Sequence, residues 1–350
     1  MNIIFIQTRG KMRKWTYLLF LVMIFPGCRR NPLEVNVSDI DVTVKFKRME
    51  KDIFTLPPDS VIVRLPELQK EYGLFFKRYV QLLNIGKPGS SMFNELLKIF
   101  LLDDINREVY QQVMKTYPDL KNIEKQLTGA FRHYKYYFPE KKVPAVYSYV
   151  SGFNASLLID EGILGVGLDR YLGDVPYYDQ LGIPKYMQRN MIPGKIPSDC
   201  MYAWASVEFP FQPQDIDTLV KENVINRMIY EGKLFYFVKA MLPQENDEMI
   251  MGYSPKQMKW CRMNEGQMWA YLIERKMLFK TDYMTVNKLT RNAPFTSFFP
   301  RESPGRAANW IGWQIVRKYM KLHKEVTLEE LMTSVNYQDI LNESEYDPGQ

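Results

Sequence analysis

The feature that most constrains this chain is an eleven-residue run, Trp15–Phe25 (WTYLLFLVMIF), set between a basic leader and a cysteine. Residues 1–14 carry Arg9, Lys11, Arg13 and Lys14 and no carboxylate. A run of this length fits the roughly 7–15 residues of a secretory h-region and falls short of the ~17–25 that span a bilayer. Phe25-Pro26-Gly27-Cys28 follows. Gly27 before Cys28 resembles a lipobox, where a peptidase cuts ahead of a lipidated cysteine, although Phe25 and Pro26 depart from its usual residues. The sequence thus predicts a signal peptide over 1–27, lipid on Cys28, a tether over 28–38 and one globular domain over 39–350. Met12 is an alternative start to Met1, and a short anchor helix with an incidental cysteine is the competing reading. Two or more acyl chains hold a protein stably at a membrane. Arg29 and Arg30 beside the anchor favour an anionic leaflet, and the absence of an acidic run there predicts a periplasm-facing position in the cell envelope.

Charge excludes one class of partner. The whole chain is +6, and four of its cations lie before Cys28, so the remainder is near +2, with no Arg-rich tract. That is no footprint for nucleic acid. Beyond Cys28 only Cys200 and Cys261 remain, which an exported protein would either pair or leave free and which make no disulfide framework. Aromatic residues are plentiful at 14%, and thick helical cores are their expected use, a sugar-binding surface the alternative.

Periodicity predicts an α+β fold: one mostly helical domain around a small central sheet. Asp39–Phe54 opens with alternation at Val42, Val44 and Phe46 and reads as a strand. Helical patterns follow over 66–83, 90–103, 105–116 and 119–138. Residues 143–153, 155–159 and 163–168 are short β-prone runs, with Asp160-Glu161-Gly162 as a hairpin turn between the last two. Helices return over 177–190, 200–209, 215–242, 255–279 and 305–324, with short turns over 328–335 and 337–342.

Chemistry is sparse. His133 and His323 are the only histidines, with no partner at i+4 and no cysteine at ligand spacing. They read as solvated or capping residues. No nucleophile elbow, Walker loop or dinucleotide fingerprint is present, and neither a cofactor nor a metal is expected. The stripe Val224, Met228, Glu231, Phe235, Val238 places Glu231 among apolar residues, where a carboxylate needs a partner or a raised pKa. Arg227 and Arg275 are candidate partners. Glu208 occupies the general-base place of a His-Glu-x-x-His helix, but Val207 and Phe211 stand where the histidines would be. Pro210 ends that helix at Phe209. Glu208 and Glu231 remain candidates for a metal-free acid/base pair, which glycoside chemistry requires at about 5–10 Å across one cleft. Ser303 with Pro304 predicts the start of the last long helix. Arg306 in its first turn opposes the helix dipole, which points to an acidic partner such as Glu231. Gly312 predicts close approach of another backbone.

Three segments carry a resemblance: Gly165-Val166-Gly167-Leu168-Asp169-Arg170-Tyr171-Leu172-Gly173, Met228-Ile229-Tyr230-Glu231-Gly232-Lys233, and Ser303-Pro304-Gly305-Arg306 with Gly312-Trp313-Gln314-Ile315-Val316-Arg317. Together they are similar to the GldB-like gliding-motility lipoprotein family of Bacteroidota, from about Val42 to Tyr346. The family is distantly similar to predicted zinc peptidases, which implies a degenerate zincin-like body lacking the metal-binding histidines. The resemblance implies an envelope lipoprotein associated with gliding machinery and secretion. It would act without catalysis through other envelope proteins, with Asp169 and Arg306 as structural or partner-contacting residues. A periplasmic hydrolase of peptide or glycan using Glu208 and Glu231 is the alternative.

Overall fold

The computed structural model describes residues 31–211 and 222–349. Cys28 and the signal segment therefore lie outside the described residues. The compact body starts at Leu33, which packs on the core, and the Glu34 carboxylate accepts a hydrogen bond from the Gln244 amide. The second half of the predicted tether is seated against the body.

The chain enters through β1 (Phe46–Arg48), then α1 (Met49–Phe54), α2 (Pro58–Val63), α3 (Leu65–Leu83), α4 (Ser91–Leu102), α5 (Asp104–Thr116) and α6 (Lys121–Tyr137). The remaining strands follow together: β2 (Ala145–Tyr149), β3 (Leu157–Asp160) and β4 (Ile163–Gly167). Short helices α7 (Pro176–Gln180) and α8 (Lys185–Gln188) lead to α9 (Ile196–Glu208) and α10 (Val224–Met241). The chain ends with α11 (Asp247–Met251), α12 (Pro255–Glu274), α13 (Tyr283–Thr290), α14 (Ala307–Leu322), α15 (Leu328–Thr333) and α16 (Tyr337–Glu343). The expected α+β class holds, with one small sheet in a helical body.

Sheet order is β1-β2-β4-β3. β1, β2 and β4 run parallel, with Phe46 opposite Val146 and Val146 opposite Leu164, while β3 returns antiparallel to β4. Gly162, at φ 70°, makes the turn that Asp160-Glu161-Gly162 predicted. The strand expected over Asp39–Phe54 is shorter than its alternation implied. Just ahead of β1, Val44 donates its N–H to Thr128 Oγ1 at 3.0 Å, and Phe46, the first residue of β1, donates to Glu124 at 3.1 Å. The backbone is thus satisfied by side chains of α6, and from Met49 it turns helical. The single helix expected over 177–190 is two short ones divided at Gly182, whose φ is 67°.

Helix α10 is buried on almost every side. It reads as a core helix rather than one with a single apolar stripe. Its closest neighbour is α14: a Cβ added at Gly232 would meet the Gly312 carbonyl oxygen at 2.3 Å, and one at Gly312 would meet that of Met228 at 1.8 Å. The backbone approach expected at Gly312 is real, and it needs a glycine on both helices. Aromatic residues fill the core, with Phe75 stacked on Tyr147 at 4.2 Å and Tyr134 set among Phe131, Phe138, Trp204 and Phe237. Cys200 and Cys261 are free thiols, both fully buried.

Candidate functional site

The polar residues singled out by sequence fall into three separate places. The first surrounds Glu231, one residue before the glycine crossing. Its side chain keeps partial access to solvent, yet protein encloses most of it. Loss of water pushes its pKa up, against a Tyr202 hydroxyl that donates to Oε2 at 2.5 Å and the positive charges of Arg306, Arg227 and Arg291. The expected partners are differently engaged. Arg227 Nη2 pairs with Glu222 at 2.5 Å, and its guanidinium lies 4.3 Å from the Phe211 ring centre. Arg275 packs over Tyr271. Arg306 acts on Glu231 through its charge without an ion pair within 4 Å: it donates to the Met251 carbonyl at 2.5 Å and lies over the Phe235 ring.

Arg306 itself is the N-cap of α14, in the left-handed conformation at φ 52°. Ser303, the expected cap, instead accepts the Thr296 N–H at 3.2 Å. Thr296 takes over: its hydroxyl donates to the Pro304 carbonyl and accepts the Ala307 N–H at 2.9 Å. A residue eleven positions upstream satisfies the helix end, which no local cap pattern signals.

The second place surrounds Glu208, the last residue of α9, beyond which Phe209 is the C-cap and Pro210 forbids another turn. Its carboxylate accepts from Lys141 Nζ at 2.6 Å and from the Tyr134 hydroxyl at 3.2 Å. It lines a cavity of about 240 Å³ with Tyr230, Lys233, Ser334 and Tyr337. Sequence reasoning passed over Lys233. It is 2% exposed and donates to the carbonyls of Met332 at 3.0 Å and Ser334 at 2.6 Å, fixing α15 and its exit against α10. Burial pushes its pKa down to about 7. The signal available was its place four residues after Ile229 in a helix apolar nearly all round.

Glu208 and Glu231 share no hydrogen-bond partner. Tyr202 and Glu208 stand six residues apart on α9, about 9 Å along its axis and on different faces. The two carboxylates thus bond to different groups. Val207 is exposed, and Phe211 packs on Tyr230 and Tyr337. Among the described residues, no group of three or more His, Cys, Asp or Glu side chains gathers as a metal site. His133 Nδ1 lies 2.9 Å from the Gly129 carbonyl, and His323 caps α14 beside Glu325 and Glu343.

The third place is Asp169, fully buried where β4 ends. Its Oδ2 accepts the N–H groups of Ser151 at 3.0 Å and Phe153 at 2.7 Å, pinning the loop after β2; Phe153 there has φ 66°. Its Oδ1 has no hydrogen-bond partner among the described residues. Burial pushes its pKa up to about 6, partly offset by those amides. Asp169 is a structural clasp between two strand ends.

The comparisons with known proteins agree on one point. No curated protein and no solved structure matches the chain, and the expected likeness to zinc peptidases is not shown by these comparisons. No helix among the described residues is long and apolar enough to cross a membrane. A family model described as gliding motility protein GldB matches residues 30–348. That match takes in all three places just described, and the chain belongs to the gliding motility protein GldB family.

Proposed function

We propose that this protein is a cell-envelope lipoprotein, held by lipid at Cys28 on a periplasm-facing surface. It serves gliding- and secretion-related machinery through protein partners and without catalysis. The observation that carries the reading is family membership over 30–348, to which the Gly27-Cys28 junction behind an h-region adds the anchor. Support for a non-catalytic role comes from the carboxylates. Glu208 is ion-paired with Lys141 and accepts from the Tyr134 hydroxyl, Glu231 is held by Tyr202, and the two do not share a set of partners. Fold alone would not license the reading.

The test is replacement of the chromosomal copy. Cys28→Ser is expected to release the protein from the membrane fraction, to abolish incorporation of a palmitate analogue and to impair the envelope phenotype. Glu208→Gln combined with Glu231→Gln, at normal protein levels, is expected to leave that phenotype intact. Loss of the phenotype in that folded double variant would return the hydrolase reading to first place.

A further inference from the structure

Two exposed apolar patches, far apart in the chain, carry opposite charge. The first runs from the end of α12 into α13: Ile273, Phe279, Tyr283 and Met284 are each between 49% and 66% exposed. Residues 273–291 contain five cations, Arg275, Lys276, Lys280, Lys288 and Arg291, against Glu274 and Asp282. None of the five forms an ion pair among the described residues; Arg275, Lys288 and Arg291 lie over aromatic rings instead, Arg291 over Tyr283 itself. Hydrogen bonds from Val224 N–H to the Lys280 carbonyl and from Ile225 N–H to that of Leu278 seat this patch across the N-terminal end of α10.

The second patch lies on α2, α4 and the α4–α5 junction. Val63, Met92, Ile99, Leu102 and Ile105 are between 55% and 79% exposed. Met92, Glu95, Ile99 and Leu102 recur at helical spacing and form one outward stripe. Residues 91–108 carry four carboxylates, Glu95, Asp103, Asp104 and Glu108, against Lys98 and Arg107. Large apolar side chains exposed in company, rather than singly, mark interaction surfaces.

We infer that the basic patch at Phe279–Met284 docks on the acidic patch at Met92–Ile105 of a second copy of this chain, in a head-to-tail contact. Charge selects this pairing. Basic on basic or acidic on acidic would set like charges face to face at a desolvated contact, whereas the crossed pairing matches both the apolar centres and the charged rims. Joining two different patches builds a ring or an open row when each patch meets a different copy, and a twofold dimer when both meet the same copy; the head-to-tail contact is the first of these. The orientation is also compatible with a chain held from its N-terminus. Glu34 meets Gln244 just past the C-terminal end of α10, about 27 Å along that helix from the basic patch. The patch therefore sits at the opposite end of α10 from the point where the chain enters the body.

The test mixes two purified full-length variants, Tyr283→Cys and Ile99→Cys, and treats them with a short bismaleimide. Both variants and the otherwise unsubstituted control carry Cys28→Ser, and Cys200 and Cys261 are buried. Crosslinks are expected between Tyr283→Cys and Ile99→Cys copies and not between two copies of either. Lys276→Glu with Lys280→Glu on the first copy should lower the yield at least tenfold. Adding Glu95→Lys and Asp104→Lys on the second copy should restore it, an outcome a merely unfolded variant does not give. Links between like variants would show like patches facing one another and overturn the proposal, and a closed dimer as the largest species in sedimentation would overturn the head-to-tail arrangement. So would the absence of any link, a failure of the charge swap to rescue, or equal loss in 1 M salt and in the swapped pair. Binding of the basic patch to anionic vesicles with no crosslink would assign it to lipid instead.

Discussion

Gly232 and Glu231 are neighbours on α10, yet they face opposite physical regimes. Gly232 lies where two backbones meet with no room for a methyl group, and Glu231 lies in a polar recess with a phenol at hydrogen-bond distance and three guanidinium groups acting from farther off. One side of the helix is fixed by steric exclusion and the other by charge balance. Steric contacts at van der Waals range fail abruptly when atoms are added, whereas a partly solvated charge cluster re-equilibrates through proton uptake and water. Substitutions one residue apart should therefore differ severalfold in cost.

The largest effect belongs to the crossing. Gly312→Ala, with its Cβ directed at the Met228 carbonyl, should destabilise the body by about 3 kcal/mol or more, read as a lowered urea midpoint. Next comes Asp169, the fully buried counterpart to Glu231. Asp169→Ala strands the Ser151 and Phe153 amides and should cost roughly 2–3 kcal/mol. Its titration has a definite sign. The folded-state pKa is raised from 3.8 to about 6. The folded protein therefore holds this proton more tightly than the unfolded chain. The contribution is greatest below about pH 4 and is lost as pH rises through about 6, by roughly 3 kcal/mol. Asp169→Asn should flatten that part of the stability–pH curve, and a curve identical to that of the parent would refute the assignment.

Lys233→Met removes the donor that holds the Met332 and Ser334 carbonyls and should cost about 1–3 kcal/mol, with limited proteolysis appearing first over residues 328–343. The unfolded chain holds this lysine's proton up to pH ~10.4, the folded protein only to about 7. The lysine's contribution to stability thus rises with pH across that interval, and the Met variant should lose the rise. The smallest effect is expected at the recess. Tyr202→Phe should cost about 1 kcal/mol and raise the Glu231 pKa further, detectable by NMR titration of the carboxyl carbon.

The elements legible in the sequence are those whose signal is local. The β3–β4 hairpin was readable because its turn chemistry and both strands lie within eleven residues, Leu157–Gly167. The stop at Phe209 follows from one proline. What could not be read depends on residues distant in the chain. β1 is shortened because α6 side chains bond the preceding backbone, and the start of α14 is set by Thr296 rather than by Ser303. At the candidate site, Glu231 was found by spacing, but its partner Tyr202 sits on another helix. Arg227, the partner spacing favours, is taken by Glu222. Lys233 escaped notice because its apolar neighbours on α10 signal burial, while the carbonyls it serves, Met332 and Ser334, lie about one hundred positions away.

The register of the sheet has a consequence for how the chain reaches this state. Phe46 pairs with Val146, one hundred positions later, and β4 must then add beside β2. A chain threaded N-terminus first presents β1 long before any strand exists to receive it. Helices α2 to α6 have to form within a large open loop, whose closure is entropically costly and slow. Until Gly167 has emerged the sheet cannot close, and the face of α10 that carries Gly232 stays uncovered until α14 arrives. Folding is thereby deferred until nearly the whole chain is present.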